Sequence, residues 1–279
     1  MNDKSIKSNI FLSLKYIFLS ICAIVVLYPL FFLFISSVKS NDEIFLSPFN
    51  LPQSWDFSVY IDVWKNFDIS KYFLNSLYYA VLSVLVSIVI GSMAAYALTR
   101  MKWRLSKLVM GLFLIGVMIP VHSELVPLYI GFNKFGMTNP KINLILIFVT
   151  FSLPTTIFIL SGFIHGIPVE MEESAVIDGC SIFKLFWKII FPLMKPAIST
   201  VTIFNFLGSW NDFVVSLIFI QNESDKTLQL GITRFQSAFA TRYSYLLAAI
   251  IIAIIPSMTV YIIMQDKIIS GITAGAVKG

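Results

Sequence analysis

Long apolar runs separated by short polar pieces dominate this chain. One such run, FLSICAIVVLYPLFFLFI, has no charged side chain and no alternation of apolar and polar positions. Six stretches reach spanning length, since about 20 residues at a 1.5 Å rise cover the hydrocarbon core of a bilayer. They run from Tyr16 to Val38, Phe73 to Leu98, Leu108 to Ile130, Ile142 to Ile164, Ile198 to Ile220 and Tyr245 to Met264. The third contains Pro120 and Pro127, which predicts a kinked or broken helix. The first follows Lys4, Lys7 and Lys15, but it is too long for the apolar core of a signal peptide. It is read as a retained span.

Composition supports the same class. Of 279 residues, 57% are hydrophobic and 13% charged, against about a quarter charged in a soluble domain. The expectation is an all-α, multi-pass membrane protein with six transmembrane helices. A net charge of +5 raises the question of nucleic acid, yet no basic block interleaved with aromatics lies outside the spans. The basic residues cluster beside the spans instead. With the N-terminus inside, twelve of the twenty fall in inner pieces, most densely in TRMKWRLSK after the second span. That predicts an N-in, C-in topology. Residues 1–15 are then an inner N-terminus, 16–267 the membrane domain and 268–279 an inner tail. The loop from Lys39 to Tyr72, with Trp55 and Trp64, is expected to lie outside on the membrane surface. Cys22 falls in a span and Cys180 in a charged loop, so neither a disulfide framework nor a metal site is expected.

The exception to the apolar pattern is PVEMEESAVIDGCSIFKLFWKIIFPLMKPA, Pro168 to Ala197. Pro168 suits a first helical position. Glu170, Glu172 and Glu173 fall in the first turns, where the helix dipole favours negative charge. Gly179 permits a sharp turn. Phe183, Phe186, Trp187, Ile190 and Phe191 follow at helical spacing, which gives an amphipathic helix along the inner membrane face. Two readings stand on these residues alone: an interfacial link between spans, or a docking element for a partner.

The string Glu173-Ser174-Ala175, three residues, Gly179, nine residues, Ile189, two residues, Pro192 resembles the EAA loop of ABC importer permeases. That pattern is E-A-A-x3-G-x9-I-x-L-P. Ser174 replaces an alanine and Phe191 a leucine, so a small and a large apolar residue are kept. SWNDF (Ser209 to Phe213), IPVHSELVPLY (Ile119 to Tyr129), YFLNSLYYA (Tyr72 to Ala80) and the C-terminal IISGITAGAVKG resemble the carbohydrate-type, maltose-transporter-like members. The likeness covers most of the chain from Leu46 onward.

The resemblance implies a type I importer permease fold in a bacterial cytoplasmic membrane. It implies a second permease as heterodimer partner, two ATP-binding subunits and an extracytoplasmic solute-binding protein. The EAA loop, residues 168–192, would be a coupling helix seated in the ATPase. Glu173, Ala175 and Gly179 would form the core of that contact, with Glu170, Ser174, Asp178, Ile189 and Pro192 around it. ATP and magnesium would be held by the partner, because the chain has no G-x-x-x-x-G-K-[ST] string. The tail, with Gly275, Lys278 and Gly279, would lie on the ATPase side.

Within the spans Asp212 is the costliest residue, at about 2.5–3.5 kcal/mol near the bilayer centre. Two readings stand. Asp212 caps or pairs within the bundle while Trp210 joins an interfacial belt, or Trp210 stacks on a sugar ring while Asn211 and Asp212 bond its hydroxyls. Asn205, Ser209 and Glu124 are the other candidates for the path. His122 is read as structural and His165 as a helix cap. Asn75 and Ser76 more often join helices than touch substrate. The rivals are an ion-driven secondary transporter, which would show paired intramembrane acids and broken helices in two halves, and a membrane-embedded enzyme. Only one span looks broken, and no catalytic cluster is visible.

Overall fold

The computed structural model describes residues 3–101, 103–235 and 242–276. Among them every regular element is helical. The chain divides into two compact units.

The first unit comprises residues 1–69 and 232–252. From Tyr16 on, helix α1 (Asp3–Ser37) carries no charged side chain, and most of its bulky side chains from Phe11 to Phe31 stand exposed, as a lipid-facing helix requires. The stretch expected to be a surface loop instead forms α2 (Asn41–Leu46) and α3 (Ser58–Asn66). The reason is local chemistry. Ser40 Oγ accepts the Glu43 N–H at 3.3 Å, and the Glu43 carboxylate accepts the Ser40 N–H at 3.0 Å, a reciprocal cap that starts α2. Glu43 also accepts the Gln53 N–H at 2.8 Å. The Gln53 bond and then the Ser40 bond hold its carboxyl below the usual carboxylate range. Val59 and Val63 on α3 are buried one turn apart. Tyr60 meets Ser37 at 2.6 Å, and the buried Lys39 ammonium donates to the carbonyls of Ser47 and Pro48.

The second unit comprises residues 70–231 and 253–279. It holds nearly all of α4 (Ile69–Arg100), then α5 (Ser106–Met118) and α6 (Val121–Lys134). The last two meet at Pro120 with a bend of 104°, so the third span is broken where a proline removes the N–H. Helix α7 (Pro140–His165) is N-capped by Asn139, whose Oδ1 accepts the Lys141 N–H at 3.0 Å. It is the axis of the unit, with α5 and α11 packed against it. Its contacts with α4 are close. Ser87 and Ser152 hydroxyls meet at 2.6 Å, and a Cβ on Gly91 would collide with the Thr156 side chain. Small residues and hydroxyls are what let membrane helices approach in this way.

Beyond α7 come α8 (Glu170–Ile177), α9 (Ile182–Leu185), a π-helical turn at Phe186–Ile190, α10 (Phe191–Leu193) and α11 (Lys195–Trp210). The segment Ile182–Leu193 and α11 differ in direction by 75°. Then follow α12 (Val214–Phe219), α13 (Leu228–Ile232) and α14 (Tyr243–Ala276). The fifth stretch, expected as one span from Ile198 to Ile220, is therefore interrupted after Trp210. Asp212 supplies the reason. Its carboxylate accepts the N–H of Val215 at 3.2 Å and the N–H and hydroxyl of Ser216 at 2.9 Å each, so a new helix starts there. The expectation of a single broken span is corrected accordingly. Among the described residues, four helices are long and apolar enough to cross a membrane, or up to six when each bent pair counts as one span.

Candidate functional site

The charged stretch folds as a helix, a turn and a second helix. Helix α8 begins at Glu170, two residues after Pro168, and carries all three glutamates in its first turn. Glu170, Glu173 and Asp178 are exposed, Ala175 is buried, and the exposed Ser174 hydroxyl donates to the Glu170 carbonyl at 2.8 Å. Gly179 sits at φ +76°. Its N–H bonds the Val176 carbonyl at 3.0 Å, and the Cys180 N–H bonds the Ala175 carbonyl at 2.9 Å. This is the paired closure of a Schellman motif, which glycine makes without steric penalty. Leu185, Phe186 and Ile190 are buried, while Ile189 and Pro192 are half-buried. Phe186 packs on Tyr96 at 5.4 Å and on Trp187 at 5.0 Å. On either side of the turn Val176, Ile177, Ile182 and Phe183 stay exposed, Ile177 at 85%. They are apolar side chains left exposed near the exposed carboxylates of Glu173 and Asp178.

Glu172 behaves differently from its neighbours. It is buried, and its Oε1 lies 2.8 Å from Arg100 Nε at the end of α4. Tyr96 Oη donates to its Oε2 at 3.0 Å. The Arg100 guanidinium also donates to the carbonyls of Ile164, at 2.9 Å, and Ile167. One arginine thus ties together α4, the end of α7 and α8. Sequence reading counted Arg100 only as an orienting charge and Glu172 only as one of three dipole-favoured acids. No local signal tells which glutamate turns inward.

Within the bundle, a cavity of about 370 Å³ is lined by Asn205, Ser209 and Asp212 together with Ser152 and Thr155 of α7. Asn205 is buried and donates to Thr156 Oγ1 at 3.0 Å. Trp210 is 1% exposed. Its indole N–H donates to the Ala253 carbonyl at 3.0 Å, and its ring lies against Phe206 at 5.7 Å and Phe73 at 5.3 Å. That ring is part of the packed core and sits neither in an interfacial belt nor against open space. Asn211 is exposed and accepts the Ser257 hydroxyl at 3.4 Å. Glu124 lies in the first turn of α6 and lines a second cavity of about 570 Å³ beside Pro154. Of the candidates for the path, then, Asn205, Ser209 and Asp212 share one cavity, and Glu124 faces another. His122 is exposed, and His165 Nδ1 lies 2.7 Å from the Ser161 carbonyl in the last turn of α7. Asn75 donates to the carbonyls of Ser224 and Lys226, and Ser76 Oγ accepts the Leu228 N–H. These two residues pin a loop to α4. Gly275 falls within α14, whereas Lys278 and Gly279 lie outside the described residues.

Bent spans, a largely apolar cavity in the bundle that holds a few polar groups, and an exposed charged helix after α7 are the features of a membrane transport subunit. The chain belongs to the family described as the binding-protein-dependent transport system inner membrane component, which matches residues 87–273. It is a multi-pass protein of the bacterial inner membrane. It is 33% identical to the diacetylchitobiose uptake system permease protein NgcG of Streptomyces coelicolor, over 96% of this chain and 89% of that one. It is 32% identical to the melibiose/raffinose/stachyose import permease protein MelC of Bacillus subtilis, over 90% and 91%. Its fold matches a chain of a bacterial ABC transporter involved in import of the acidic polysaccharide alginate, with a TM-score of 0.81 at 22% identity, covering 93% of this chain and 97% of that one.

Proposed function

We propose that the chain is a transmembrane permease subunit of an ATP-driven importer for a sugar or oligosaccharide. Several relatives are named for such cargo, among them diacetylchitobiose, starch degradation products and melibiose. A similar alginate transporter has been captured with a periplasmic protein bound to an alginate pentasaccharide, which supports an outer solute-binding protein here. Two ATP-binding subunits supply ATP and magnesium, and a second permease completes the membrane core. With the basic loops inside, α8 projects toward those subunits. ATP binding draws them together, α8 moves with them, and α4 and α7 follow through Arg100. The cavity holding Asn205, Ser209 and Asp212 then opens outward to receive sugar. Each partner acts by binding one of the two states better.

The observation that carries this reading is α8 and its glycine closure, with Ile177 exposed beside Glu173 and Asp178. Site-directed cross-linking tests it. In a background with the free Cys22 and Cys180 replaced by serine, Ile177→Cys is expected to cross-link to the ATP-binding subunit in the assembled importer, with a yield that changes when ATP is added. Cross-linking to lipid alone would contradict the reading.

A further inference from the structure

A cavity of about 520 Å³ lies between α5, the last two turns of α7 and the first half of α11. Met110 and Leu114 line it from α5, Phe158, Gly162 and His165 from α7, and Phe204 from α11. No Asp, Glu, Lys or Arg lines it. Leu114, Phe158 and Phe204 are exposed, so the cavity is an open apolar groove on the flank of these helices. From Phe158 to His165 it follows α7 for about 10 Å, against roughly 15 Å of hydrocarbon in one leaflet. Helix α5 begins, α7 ends and α11 begins at the same end of the groove, and α8 follows α7 there. With α8 inside, the groove therefore lies in the inner leaflet.

Gly162 helps keep the groove open. It stands inside α7, and a Cβ there would meet nothing within 4 Å. Glycine weakens a helix interior relative to alanine, and no close packing within the chain requires it at this position. The inner end of the groove carries positive charge. Lys107 stands three residues before Met110, one turn along the same face of α5, with Arg104 ahead of it. Lys195 opens α11. All three are exposed, and among the described residues none is paired with a carboxylate. His165 Nδ1 donates to the Ser161 carbonyl at 2.7 Å, which leaves its Nε2 for a group at that end.

We propose that the groove holds one acyl chain of an anionic phospholipid of the inner leaflet, with its phosphate at Lys107 and Arg104. The apolar wall takes the hydrocarbon, and each methylene it covers adds to binding. Basic side chains at the inner mouth of a pocket between membrane helices select anionic headgroups, through charge-assisted hydrogen bonds to the phosphate oxygens. A helix of a second subunit could cover the same apolar wall, but it gives Arg104, Lys107 and Lys195 no counter-charge unless it carries acids of its own. The lipid fills the wedge between α5, α7 and α11, and so stiffens the end of α7 from which α8 continues. The proposal does not depend on the cargo of the importer.

The test is native mass spectrometry on the full chain, purified with whatever subunits it holds and stripped of lipid. Phosphatidylglycerol is titrated in, with phosphatidylcholine of the same acyl chains as the comparison. Phosphatidylglycerol is expected to bind more tightly by about tenfold or more, as two or more basic side chains near a headgroup provide. Gly162→Leu, whose side chain enters the groove, weakens that binding by about tenfold or more, since two displaced methylenes already amount to as much. Gly162→Ala, which leaves the groove largely open, retains most of it. Lys107→Gln, on the exposed rim where folding is not at stake, weakens phosphatidylglycerol by about fivefold and leaves phosphatidylcholine unchanged. Equal binding of the two lipids overturns the proposal, as does phosphatidylglycerol binding that survives both Gly162→Leu and Lys107→Gln. Binding to the chain alone that vanishes once a second permease is bound overturns it too, and makes the groove an interface between subunits.

Discussion

At Gly179 the backbone lies at φ +76°, with open space where a Cβ would stand. Any cost of a side chain there is conformational, about 1–2 kcal/mol for most L residues and less for asparagine. Thermal unfolding in nanodiscs is therefore expected to rank wild type above Gly179→Asn and Gly179→Ala lowest; an unchanged melting temperature for the alanine variant would contradict the turn. Glu43 gives a prediction in pH. Its folded pKa is depressed, chiefly by the Gln53 N–H, so its contribution to the α2 cap is present above the unfolded value. It fades as pH falls below the ordinary carboxylate value of 4.5 and through the folded one. Protease cleavage in the Ser40–Gln53 segment should rise over that range in wild type, while Glu43→Gln cleaves readily at neutral pH as well. The glycine was legible because its spacing to Glu173 and Pro192 is distinctive. Glu172 was not. Three acids share one helical turn, and the one that turns inward is chosen by an arginine distant in sequence.

Between elements, Arg100 and Glu172 form a nearly buried pair, with side chains 14% and 11% exposed. Removing one partner of such a pair leaves an uncompensated charge and costs about 3–5 kcal/mol, whereas replacing both with apolar residues is far milder. Glu172→Leu alone is thus expected to lower the melting temperature of the complex more than Arg100→Met with Glu172→Leu. The double variant restores stability but loses the link from α8 to α4 and α7, so transport per ATP hydrolysed falls. Full transport in the double variant would make the pair purely structural. The broken third span was legible from Pro120, which cannot donate to a helical ladder. The break after Trp210 was not, because no proline marks it and Gly208 just before it stays within α11. Asp212 makes its own helix start through Val215 and Ser216, and the same bonds account for an acid within an apolar stretch. Trp210 misled for a related reason. A tryptophan beside polar residues reads as interfacial until its N–H is seen to reach Ala253.

Over the whole molecule, the membrane class was legible from hydropathy because a bilayer demands that every backbone group be satisfied within helices. The division into two units was not, since the helices from Asn41 to Asn66 arise from a local cap and two buried valines rather than from long apolar runs. The central claim is that α8 passes nucleotide-driven motion from a separate ATPase to this chain. The most direct measurement is ATP hydrolysis by the complete importer in nanodiscs, with its binding protein and a panel of sugars, in wild type, Glu173→Lys and Gly179→Asp. The account predicts that one sugar stimulates hydrolysis in wild type and that both variants assemble but lose the stimulation. If no ATPase co-purifies, or if both variants respond to sugar as wild type does, α8 is an interfacial linker and the coupling account is wrong.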